Sequence, residues 1–119
     1  MDNERRLVLA LCETLLHVAG VSGAAAKQLR PGQALVADLG LEDVDLEVLA
    51  GCQRRLGDRL RQDHGHTRID AEDLLELDVW EVFDLTVQRA LGRPPGPPEA
   101  AEWMAHAQTL LRGLSPPLP

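Results

Sequence analysis

The sequence predicts an all-α protein. Three observations carry this. Apolar residues recur every three or four positions in several stretches, strong helix formers fill the positions between them, and the β-branched and aromatic alternation of strands is absent, with one Phe and no Tyr. At 119 residues the chain is long enough for one helical core and too short for two. The 12 basic and 19 acidic residues give a net charge of -7. That balance argues against affinity for nucleic-acid phosphates or anionic membranes and favours a partner with a basic patch.

The first helix is expected from Asn3 to Val18, with Leu7, Val8, Leu11, Cys12, Leu15 and Val18 on one broad face and Gly20 as its stop. His17 near its end reads as a surface residue, where the dipole mildly favours a cation. From Val21 to Asp38 the residues turn small and irregular, a long connection with one helical turn at Ala24 to Leu29 and with Leu35 and Val36 as its apolar tethers. Its glycines lack the GxxxxGK[ST] spacing of a phosphate loop.

The second helix is expected from Asp43 to Leu60, its stripe Val44, Val48, Cys52 and Leu56 widened by Leu49 and Leu60. Asp38, Glu42, Asp43, Asp45 and Glu47 crowd its entrance, and Asp43 is the expected N-cap. Its surface then changes sign through Arg54, Arg55, Arg59 and Arg61, with Arg68 beyond. Residues 61–68, RQDHGHTR, read as an exposed loop. Asp63, His64 and His66 on a flexible segment offer too few ligands for a metal site, so none is expected.

Asp78 and Glu81 stand in capping-box spacing before a stripe of Val79, Val82, Phe83, Val87 and Leu91, with Gly92 and Pro94 as stops. Asp70, Glu72, Asp73, Glu76, Asp78, Glu81 and Asp84 read as a solvated face that can also answer the second helix's arginines. Residues 93–98, RPPGPP, form a stiff spacer. A last helix from Glu99 to Arg112 places Trp103, Ala107, Leu110 and Leu111 on one side, to be covered by its own bundle or by a second subunit. The division is thus 1–92 for the bundle, 93–98 for the spacer, and 99–119 for the C-terminal helix and tail.

Residues 39–49, LGLEDVDLEVL, resemble the acyl carrier protein signature, in which a Leu-Gly-x-Asp-Ser-Leu-Asp run opens the second helix and the Ser carries phosphopantetheine. Leu39 and Gly40 match its first two positions, and Glu42, Val44 and Asp45 are conservative matches to those that follow. Leu46, Glu47, Val48, Leu49, Cys52 and Leu56 continue the pattern with one residue deleted near Asp45. Residues 69–77, IDAEDLLEL, resemble the family's short third helix and its lead-in, and LDVWEVFDLTV is similar to its closing helix.

The resemblance, over about residues 3–91, implies a four-helix bundle with a long first loop and a short third helix, here extended by a C-terminal helix. The serine position holds Asp43, and the only serines are Ser22 and Ser115. A carboxylate cannot take over the phosphodiester linkage, so no cofactor is expected. The expected function is therefore a non-catalytic carrier-like module that binds a protein partner, a fatty acid, polyketide or peptide biosynthesis enzyme being the class implied. Its expected contact residues are Glu42, Asp43, Asp45, Glu47, Arg54 and Arg55. The arginines depart from the family, whose second helix is usually acidic along its length.

The alternative is an unrelated small helical adaptor or oligomerisation protein, a homo-oligomer forming through the C-terminal helix. An enzyme is not expected, because no arrangement of nucleophile and base stands out. Cys12 and Cys52 read as small buried hydrophobes of a reducing compartment. Without a membrane-length apolar run, and with Met1 to Arg6 too charged to lead a signal peptide, the expected location is the cytoplasm.

Overall fold

The computed structural model describes residues 3–61, 63, 65–92 and 100–114; the spacer and the last residues lie outside them. Among the described residues the chain forms five helices and no strand. These are α1 (Asn3–Ser22), α2 (Asp43–Leu60), α3 (Ala71–Leu74), α4 (Val79–Leu91) and α5 (Ala100–Leu114), with a 3-10 turn at Ala26–Gln28. No helix among them is long and apolar enough to cross a membrane.

All six stripe residues expected of α1 are buried. The helix nevertheless passes Gly20 and ends at Ser22, followed by Gly23, whose φ of 80° is open to glycine at little cost and whose N–H donates to Ala19 O at 2.9 Å. His17 is half-buried rather than superficial, its Nδ1 2.7 Å from Gln53 Oε1.

Leu29, Leu35 and Leu41 anchor the long first connection in the core, whereas Val36 is exposed and tethers nothing. The connection also caps α4. Val79 and Trp80 donate their N–H groups to Gln33 O at 3.0 Å and Pro31 O at 3.1 Å, and Glu81 N–H donates to Asp78 Oδ1 at 2.8 Å. With Asp78 N–H donating to Glu81 Oε1 at 2.9 Å, all four amides left open by the first turn of α4 are satisfied, two of them by the loop, which ties loop to helix.

Within the expected third helix only Ala71–Leu74 is helical. Asp70 and Asp73 form a capping box at its start, and Leu74 plugs the core. Leu35 N–H donates to Leu77 O at 3.0 Å, so the backbone beyond Leu74 serves the first connection instead of extending α3. The α4 stripe is buried as expected except for half-buried Leu91, and Gly92, at φ 72°, ends the helix.

Helix α5 packs on α1 and the 3-10 turn, with Met104, Ala107 and Leu111 buried. Burying the first and last supplies on the order of 3–6 kcal/mol to a helix marginal alone. Leu110 points outward, and Met104 takes the place expected for it. Gln108 Nε2 donates to Ala26 O at 3.1 Å and Leu29 O at 2.8 Å, and Cys12 Sγ to Ala107 O at 3.4 Å. Trp80, Phe83 and Trp103, with centroids 5.2 to 6.3 Å apart, gather the chain's aromatic residues into one cluster.

Candidate functional site

The entrance and outer face of α2 form the candidate site. Gly40, at φ 70°, makes the turn that sends Leu41 into the core and leads the chain into the helix. The N-cap is Glu42, one residue earlier than expected. Asp45 Oδ2 accepts from Glu42 N–H at 2.9 Å, and the two side chains close a capping box. Asp43 is instead the first helical residue, exposed and without an ion pair or hydrogen-bonded side chain among the described residues.

The stripe expected of α2 divides: Leu49, Leu56 and Leu60 enter the core as expected, whereas Val44, Val48 and Cys52 are turned away from it. Its buried face is Leu46, Leu49, Ala50, Gln53, Leu56, Gly57 and Leu60, while Val44 and Val48 are 63% and 51% exposed and Cys52 is half-buried. Packing chose the face with four leucines, whose burial outweighs that of two valines, and let small residues make the close approaches. At 3.6 residues per turn, Val44, Val48, Gly51 and Arg55 then run down the outer face, opposite Gln53.

The six expected contact residues divide. Glu42 and Asp45 are engaged with each other, whereas Asp43 and Glu47 present free carboxylates among the described residues. Arg54 Nη1 donates to Ile69 O at 2.6 Å, and Arg55 Nη2 lies 3.6 Å from Cys52 Sγ. Both arginines remain exposed, with guanidinium nitrogens 3.6 and 3.8 Å from where a Gly51 Cβ would stand. Two cations thus converge over the helix midpoint without a carboxylate partner among the described residues. The residues missed by sequence were Val44 and Val48; placing Ala50, Gln53 and Gly57 on the same wheel as the leucines is the signal that identifies them as exposed.

Among the described residues, the acidic half-chain does not answer these arginines. Arg59 pairs with Glu13 through contacts of 2.8 and 3.0 Å, Arg61 with Asp63 at 2.8 Å, and Asp73 with Arg89 at 3.6 Å. Asp63 also accepts from Gly65 N–H at 2.9 Å. His66 Nδ1 stands 3.6 Å from Asp58 Oδ2, and His64 lies outside the described residues. No group of three or more metal-ligating side chains gathers among the described residues.

A separate cleft of about 840 Å³ opens between the first connection and α5, against Leu29, Pro31, Asp38, Met104 and Gln108. None of its lining residues belongs to α2. Asp38 is engaged there, accepting from Ala34 N–H at 2.8 Å. Burial pushes the Cys12 thiol above its ordinary pKa, which makes it a poor nucleophile. Compared with family models, curated proteins and solved structures, the chain gives no match.

Proposed function

We propose that the chain is a carrier-like docking module without a prosthetic group, acting by binding a protein partner through the outer face of α2. The observation that carries this reading is the exposed, unpaired carboxylate of Asp43 at the first residue of α2, where the acyl carrier resemblance calls for the pantetheine-bearing serine. The long connection before α2 and the single-turn α3 support it, since both are features that the resemblance implies. Asp43 keeps a negative charge at the helix mouth, where it complements the dipole.

The exposed face suits docking in place of chemistry. Val44 and Val48 supply an apolar centre, Asp43 and Glu47 meet a basic patch, and Arg54 and Arg55 select a partner that also carries acid. The partner class is a fatty acid, polyketide or peptide biosynthesis enzyme, and the compartment is the cytoplasm. Incubation with coenzyme A and a broad phosphopantetheinyl transferase, followed by intact-mass measurement, tests the missing attachment. No added mass is expected, and stoichiometric addition overturns the reading.

A further inference from the structure

We infer that the outer face of α2 docks against the same face of a second copy of this chain, the two helices running antiparallel. This rests on α2 being the docking face, and not on the carrier resemblance. The face is self-complementary. Glu47 and Arg54 lie on one flank of the Val44, Val48, Gly51 and Arg55 stripe, about two turns apart, with the point midway between them beside Gly51.

A two-fold axis at that midpoint, perpendicular to the plane of the paired helices, sends the N-terminal half of one α2 past the C-terminal half of the other while keeping each flank on its own side. Glu47 of each copy then faces Arg54 of the other, and the Arg55 stem crosses Val44 and Val48 of the opposing helix. Gly51 adds no side chain of its own at the crossing, where the Arg54 and Arg55 guanidiniums gather. The carboxylates meet the two cations that converge over Gly51 and find no acid within their own chain among the described residues.

The C-terminal helix has less apolar surface to offer, because Met104, Ala107 and Leu111 are already covered by their own bundle. Self-pairing and docking of an enzyme would use one surface and exclude each other.

Sedimentation equilibrium of the full chain over a rising concentration series tests this. A mass twice that of the chain is expected at the top of the series. Glu47→Arg and Arg54→Glu should each weaken association by roughly tenfold or more, and the double variant should restore it. Since Arg54 also holds Ile69 O, circular dichroism accompanies each variant, and Val48→Asp, an exposed change, gives an independent disruption. A monomer at every concentration, a dimer indifferent to Glu47→Arg or Val48→Asp, or a folded double variant that stays monomeric overturns the inference. None of these outcomes bears on the transferase experiment, which reads a covalent addition and not an association.

Discussion

His17 Nδ1 lies 2.7 Å from Gln53 Oε1, at one end of a polar cluster that joins three helices inside an apolar core. The Gln53 amide nitrogen donates to Thr14 Oγ1 at 3.1 Å and Thr86 Oγ1 at 2.9 Å. Both hydroxyls donate onward within their own helices, to Ala10 O at 3.0 Å and Val82 O at 2.8 Å. With both N–H donors spent on hydroxyls, Gln53 Oε1 is left to accept from an N–H at His17 Nδ1.

Gln53→Ala should therefore cost about 3 kcal/mol, combining a cavity with lost hydrogen bonds. Gln53→Leu should cost about 1 kcal/mol, because it refills the volume and the threonines keep their bonds to the helix carbonyls. Urea unfolding of both variants checks this; equal losses would mean that the amide, and not the packing, dominates.

The two glycines inside α2 should respond oppositely to alanine. A Cβ at Gly57 would stand 2.6 Å from Thr67 Cγ2 and Oγ1, against a stiff, buried, β-branched side chain. Gly57→Ala is expected to cost about 1–3 kcal/mol, and Thr67→Ala in the same chain should recover most of it. At Gly51 the nearest atom is Arg54 Nη2 at 3.6 Å, ordinary contact with a flexible tip. Gly51→Ala should stabilise the fold by about 0.5–1 kcal/mol in thermal unfolding at concentrations where the chain is monomeric.

Two carboxylates shape the pH dependence with opposite signs. The Thr67 N–H, 2.6 Å from Asp58 Oδ1, is the main cause holding Asp58 below its ordinary pKa. Its stabilising contribution is present above the unfolded value of about 3.9 and is lost as pH falls through the folded value. Burial holds Asp78 above its ordinary pKa, so its contribution is present below about 3.9 and is lost as pH rises through the folded value.

Asp58→Asn should flatten the acid-side loss of stability, and Asp78→Asn should gain on the natural chain as pH rises from about 4 to neutrality. Asp78→Ala, which loses the acceptor for Glu81 N–H, should cost about 1 kcal/mol. Urea midpoints across a pH series read all three; curves parallel to that of the natural chain would contradict the assignments.

How far the sequence could be read depended on whether local pattern or packing decided the outcome. The α1 stripe and the Asp78 to Glu81 cap were legible because each is settled within a few residues of chain. Helix α2 was legible in extent but not in rotation. The spacing of Val44, Val48 and Cys52 extends the Leu56 stripe in the wrong direction, while the real one runs from Leu56 through Ala50, Gln53 and Gly57, which a hydrophobicity pattern discounts. Gln53 could not be found from sequence, because its partners lie 33 to 39 positions away. The Asp43 position was legible as a helix entrance, and the exposure of Val44 and Val48 beside it was not.

The central claim, that a carrier-like helix mouth has lost only its attachment oxygen, is tested most directly by restoring that oxygen. The natural chain and Asp43→Ser are treated side by side with coenzyme A and a phosphopantetheinyl transferase active on a control carrier, and their intact masses are measured. The account predicts an unchanged natural chain and one added phosphopantetheine on Asp43→Ser. Addition to the natural chain, or a folded Asp43→Ser that the active transferase leaves unmodified, would contradict it.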